Sequence, residues 1–324
     1  MENWTVVTGG AGYVGAVVVD ELLARGRKVR VVDSLVHGSV PSLLLAWGQR
    51  GFEFVPADVR EPAAVREALR DAEAIFHGAA IVGDPACSRQ PELAREVNLD
   101  ASRALLDAAE QAGVERFVFA STCSNYGRLE GEAAATEDFP LRPVSLYAET
   151  KVEAELDVLA RADRNGMCTS CLRFATVYGV APRMRFDLTV NEFTRDTSLG
   201  KELVVYGEQF WRPYVHVRDA ARAIATVLEA PQDKVAGDVF NVGDNDQNYR
   251  KLDLVELLRA RFPDAQFKFV HKDEDPRDYK VSFDKIRSVL GFETEWTVEQ
   301  GIDEVVALMR SGLVEDPYAE IYRN

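Results

Sequence analysis

The chain has 324 residues, 47% of them hydrophobic, and a formal net charge of −15. That length supports one large domain or two smaller ones, and the acidic balance argues against nucleic acid as a partner. No run approaches the roughly 18 apolar residues that cross a bilayer, and MENWTVVTGG has no basic segment ahead of a long apolar run, so a soluble, cytoplasmic protein with no membrane partner is expected.

Apolar runs alternate with amphipathic segments along the chain. WTVVT (4–8) reads as a buried strand, Tyr13 to Arg25 as a helix, KVRVVD (28–33) as a second strand and FEFVP (52–56) as a third. A helical stretch at 62–70 leads to AIFHGAA (74–80), and a long helix at 91–112 leads to the strand RFVFAS (116–121). A helix at 147–164 ends near Asn165-Gly166, and the strand CTSCLRFATV (168–177) follows. Repeated strand–helix–strand order predicts an α/β fold with a parallel, doubly wound sheet. Burial on both faces of such a sheet accounts for the continuous Val, Ile and Phe runs. After Gly179 the alternation becomes irregular. Helical patterns recur at 186–199, 218–229, 250–261, 282–290 and 297–310, with strand-like pieces at 202–206, 238–242 and 266–270.

VVTGGAGYVG (6–15) carries the first chemistry. Gly9, Gly12 and Gly15 follow the first strand and open a helix. Glycine permits the tight turn, and it lets a pyrophosphate approach the helix N-terminus, where free N–H groups and the dipole favour an anion. Asp33 ends the second strand, 18 residues after Gly15. A carboxylate there binds both ribose hydroxyls and repels a 2′-phosphate, so NAD is expected as cofactor over NADP. Residues 1–176 are expected to form a Rossmann-type NAD-binding domain, to which part of 214–243 returns. Residues 177–324 are expected to be mainly a substrate-binding region.

SLYAETK (145–151) sets Tyr147 and Lys151 one helical turn apart. Lowering a phenol from a pKa of about 10 to about 7 takes roughly 4 kcal/mol. A nearby ammonium and a cationic nicotinamide can provide that together. The spacing alone equally fits a solvated helix face; beside a dinucleotide motif it predicts a proton-transfer pair. CTSC (168–171) is a single CxxC with no second pair, so buried small residues are expected there and no metal. His37, His77, His216 and His271 form no metal pattern.

These motifs together resemble the extended short-chain dehydrogenase/reductases of the NAD-dependent epimerase/dehydratase family, which act on nucleotide sugars. The resemblance spans nearly the whole chain and is carried by TGGAGYVG, Asp33, ADVRE, HGAA (77–80), REVNLDAS, STCSNYG (121–127), YAETK, RFATVYG (173–179), WRPYVHVRDAARA (211–223) and FNVG (240–243). It implies cofactor contacts at Tyr13, Val14, Asp58, Val59, Ala79, Ala80 and Asn98, with Asp58 and Val59 beside the adenine. It places Thr122 where the family has its catalytic Ser or Thr. It also implies a homodimer through the helices at 91–112 and 147–164.

Departures from the family narrow the chemistry. Its 4,6-dehydratases have Asp-Glu directly after that Thr, where this chain has Cys123 and Ser124. Its decarboxylases usually have Glu at the position of Ser124, and members that epimerise beside a ketone tend to have Cys there. Cys123 is expected to pack. Thr122, Tyr147, Lys151 and NAD remain. That set suffices for a 4-epimerase, and equally for a ketoreductase; a non-catalytic dinucleotide sensor would be expected to lack the Tyr or the Lys. For a nucleotide-diphosphate sugar, Thr176 stands where the family often has Asn, and Asn191 is the substitute candidate. Arg212 matches a phosphate-binding arginine, and Arg277 is a second candidate clamp or a surface ion pair. Asp84 and Cys87 fit either a sugar contact or packing. His77 is weighed as a base, and Trp47 and Trp211 read as packing.

Overall fold

The computed structural model describes residues 3–129, 133–162, 166–273 and 278–324. Arg277, and the expected helix end near Asn165, lie outside the described residues. Seven parallel strands form the central sheet: β1 (Trp4–Thr8), β2 (Lys28–Asp33), β3 (Phe52–Pro56), β4 (Ala72–His77), β5 (Arg116–Thr122), β6 (Cys168–Phe174) and β7 (Asp238–Val242). Their order is β3-β2-β1-β4-β5-β6-β7, so the winding reverses between β1 and β4. Doubly wound folds open a ligand crevice at that point, beyond the carboxyl ends of the strands.

Successive strand residues face opposite layers. Val7, Val31, Phe76, Val118 and Leu172 belong to one core, and Val6, Val32, Ile75, Phe119 and Cys171 to the other. Helix α1 (Tyr13–Ala24) and the helix Val217–Glu229 close the first core. Helices α2 (Ala101–Ala112) and α3 (Leu146–Leu159) close the second. Each fully buried Val, Leu or Phe contributes about 1.5–3 kcal/mol, so the two apolar layers hold the sheet flat against its helices. Cys168 and Cys171 are both buried, but three residues apart on a strand they fall in opposite cores.

Two expected elements are broken. The helix at 91–112 is Pro91–Arg95, a π turn at Glu96–Asp100, and then α2. Apolar periodicity does not register a single widened turn. The strand at 168–177 ends at Phe174; Thr176–Tyr178 leaves the central sheet and pairs with Trp211–His216, which also pairs with Asn248–Arg250. A continuous apolar run does not say which sheet it joins. Trp47 is 68% exposed and meets Phe52 edge-on, so it is not a core residue. Trp211 is half-buried beneath the Arg250 and Lys280 cations.

A buried histidine holds the turn between the two regions. His216 stacks on Trp296, ring centroids 4.3 Å apart, and meets Glu304 Oε2 at 3.0 Å. The same oxygen accepts from the Val180 amide at 2.8 Å. Gly179 has φ +106°, and a Cβ on it would lie 2.2 Å from His216 Nε2, so only glycine fits.

Candidate active site

The strand ends open onto a cleft of about 400 Å³, within the range of small-molecule sites. Around the glycine turn it is lined by Gly9, Gly12, Tyr13, Val14, Gly15, Asp33, Asp58, Val59, Ala79 and Ala80. Around the end of β5 it is lined by Thr122, Ser124, Tyr147, Lys151, Thr176 and Tyr279.

The nucleotide end fits a dinucleotide. A Cβ on Gly15 would lie 2.0 Å from the Gly9 carbonyl oxygen, and one on Gly9 would lie 2.8 Å from the Ala79 nitrogen. The turn therefore packs bare backbone against α1 and the HGAA loop. No side chain caps the N-terminus of α1, so its leading N–H groups are left for an anion. Asp33 accepts from the Ala11 amide at 3.0 Å and the Leu35 amide at 2.8 Å, one bond to each carboxylate oxygen. Each oxygen keeps a lone pair for a ribose hydroxyl. Asp58 is bonded twice by Arg60, at 3.0 and 2.9 Å, and this holds its carboxyl below the usual range. The Tyr13 hydroxyl donates to the Gly179 carbonyl at 2.7 Å, pinning the turn to the loop after the strand Thr176–Tyr178.

Asn98 does not line the cleft. Its amide accepts from Ile81 N at 2.7 Å and donates to Ile81 O at 3.0 Å, so it fixes the loop after β4 from below. His77 is fully buried between Thr8 Oγ1 at 2.7 Å and Ser102 Oγ at 2.8 Å. Burial lowers its pKa to about 3, which suits a neutral structural imidazole.

At the other end, Ser145 caps α3. It accepts from Ala148 N at 3.3 Å and donates to Asp84 at 2.6 Å, which fixes the helix just ahead of Tyr147. Cys87 is buried and donates to the Ile81 carbonyl at 3.3 Å; burial pushes its thiol up to about 11. Lys151 is buried, donates to the Ala120 carbonyl at 2.9 Å and lies 4.6 Å from the Phe119 ring centre; burial draws its pKa down to about 8. Burial raises the Tyr147 phenol above its usual range, with the Arg185 cation opposing. The Cys87 thiol and the Asp84 carboxylate act in the same direction as burial.

Thr122 Oγ1 accepts from the Ser124 amide at 3.1 Å and keeps its own proton to donate into the cleft. Next to it, Ser121 turns the other way, to Glu155 at 2.5 Å. Glu155 pairs with Arg173 at 2.5 Å, both buried, behind the ends of β5 and β6. Cys123 is fully buried and donates to the Arg173 carbonyl at 3.2 Å.

Asn191 and Arg212 do not line the cleft. Asn191 is fully buried and bonds Gly179 N at 2.9 Å and Arg185 O at 2.9 Å, so it braces the loop after the strand Thr176–Tyr178 and does not meet a diphosphate. Arg212 bonds the Trp211 carbonyl at 2.7 Å and stacks over Tyr279, 5.7 Å to the ring centre. Tyr279, Arg183 and Arg185 line the cleft without having been anticipated. Tyr279 OH lies 3.4 Å from Ser124 Oγ, across a sequence gap that no local pattern spans.

A glycine turn at a helix N-terminus, a carboxylate closing β2 and a Tyr–Lys pair on one helix define an NAD-dependent enzyme of the extended short-chain dehydrogenase/reductase type. The chain belongs to the NAD dependent epimerase/dehydratase family, whose model matches residues 5–243. It is 30% identical over 321 residues to the dTDP-glucose 4,6-dehydratase of an Actinoplanes species, covering 94% of this chain and 97% of that one. It is 29% identical over 328 residues to the UDP-glucose 4-epimerase of Bacillus subtilis, covering 93% and 94%. The Thermus thermophilus UDP-glucose 4-epimerase, solved in complex with NAD, matches with a TM-score of 0.82 at 28% identity, over 96% of this chain and all of that one.

Proposed function

We propose that the protein is a nucleotide-sugar epimerase that inverts C4 through a transient keto-sugar. The observation that carries this is the chemical poverty of the site around Tyr147. Among the described residues lining the cleft, the acidic side chains are Asp33 and Asp58 at the nucleotide end; the Asp84 carboxylate and the Cys87 thiol, which act on Tyr147 electrostatically, lie outside that lining and are tied to Ser145 and to the Ile81 carbonyl. Eliminating water needs further groups to move protons at neighbouring carbons; a single alcohol–ketone exchange needs one base.

Tyr147 is that base. It takes the hydroxyl proton at C4 and returns it, while Thr122 donates a hydrogen bond to the same oxygen. Lys151 holds the nicotinamide ribose and adds positive charge beside the phenol. NAD, when bound, supplies the hydride acceptor and donor. Asp33 grips the adenosine ribose. Thr176 faces the sugar nucleotide, with Arg212 held behind Tyr279. A panel of UDP- and dTDP-sugars, followed by product NMR and 340 nm absorbance, tests the assignment. A C4-inverted product without net absorbance change supports it; steady consumption of NADH, or a dehydrated product, refutes it.

A further inference from the structure

Arg183 stands on the loop that leaves the strand Thr176–Tyr178, and it lines the cleft. The residue is only 6% exposed. One terminal nitrogen donates to the Arg323 carbonyl at 2.8 Å, while its buried Nε has no partner. The carboxylate nearest in sequence is already taken: Arg185 bonds Asp187 twice, at 2.9 and 2.6 Å. A buried guanidinium with an unfilled donor is unfavourable unless a ligand completes it. Burial and the Arg185 charge draw its pKa down to about 10, with Asp187 and Asp33 acting the other way. Asp33 is itself bonded to the glycine turn through Ala11 N at 3.0 Å. His37, also on the cleft wall, feels both Arg183 and Asp33. Arg183 therefore shares the wall of one cleft with Asp33 and His37 at its nucleotide end, although it follows the strand Thr176–Tyr178.

We propose that Arg183 is a second anion contact for the dinucleotide, holding its diphosphate from the substrate side while the N-terminus of α1 holds it from the sheet side. A guanidinium's planar fork suits two phosphate oxygens. A diphosphate also occurs in the nucleotide sugar; the association with Asp33 and His37 assigns Arg183 to the cofactor. The contact bridges the two regions through the cofactor and slows its escape between turnovers.

The test is calorimetric titration of wild type, Arg183→Gln and Arg183→Lys with NADH, ADP, adenosine and UDP. Arg183→Gln is expected to weaken NADH and ADP by about 10-fold or more, with adenosine and UDP unchanged and the Lys variant intermediate. Undiminished NADH affinity overturns the proposal. So does a loss confined to UDP, which would assign the arginine to the substrate, or an equal loss for adenosine, which would mark a purely structural role.

Discussion

The Lys151 ammonium donates to the Ala120 carbonyl at 2.9 Å, tying α3 to β5 two residues before Thr122. Tyr147 stands one turn earlier on the same helix. One bond thus fixes the register of base and hydrogen-bond donor, and it does so with a cation that burial disfavours.

That cation has a stability cost whose sign can be worked out. Burial lowers the Lys151 pKa from 10.5 to about 8 in the folded protein. The unfolded chain therefore binds more protons between those values, and stability rises as pH climbs through them. Lys151→Met should be more stable than wild type at pH 7, by at most about 3 kcal/mol, with the difference vanishing near pH 10. Turnover and NAD affinity should both fall. Urea midpoints at the two pH values check this; a variant less stable at pH 7 would contradict it.

Tyr147→Phe should lower turnover at least about 10²-fold while leaving the fold and NADH affinity intact, because the ring still fills its place. Thr122→Val should do less harm, since it removes one hydrogen bond worth roughly 1–3 kcal/mol. Steady-state kinetics on the same substrate rank the two. A milder effect from the tyrosine would exclude it as the base.

Asp33 should set cofactor choice. NAD(H) is expected to bind much more tightly than NADP(H), because a 2′-phosphate would face the carboxylate. Asp33→Asn should narrow the gap by weakening NAD(H) and easing NADP(H). Calorimetry showing equal affinities in the wild type would contradict this.

A homodimer is predicted through α2 and α3, which lie side by side. Charges on and just beyond these helices pair within the chain, Arg103 with Asp157 at 2.6 Å and Arg161 with Asp107 at 2.5 Å. Leu156, 56% exposed, is the large apolar side chain these helices leave to solvent. Light scattering should give twice the chain mass of 36.0 kDa, and Leu156→Glu should shift it toward one chain. A wild-type monomer at micromolar concentration would refute the interface.

The nucleotide-binding half was legible because its signals are local. Strand, glycine turn and helix follow one another within 6–15, and Asp33 closes the next strand. Tyr147 and Lys151 were legible for the same reason, being one turn apart. The rest depends on long-range packing. Asn191 and Asn98 are polar residues near motif positions, yet both are consumed by backbone groups of neighbouring loops. Tyr279 and Arg183 reach the cleft from segments with no pattern of their own. The π turn at Asn98 and the departure of Thr176 from the central sheet leave the hydrophobic pattern unchanged, so periodicity could not show them.

The most direct test of the central claim uses a nucleotide sugar deuterated at C4, with the product followed by mass spectrometry and NMR. A hydride removed and returned at one carbon should leave the label at C4 with inverted configuration, and the product mass unchanged. Loss of the label to a free NADH pool, or a product lighter by one water, would contradict the account.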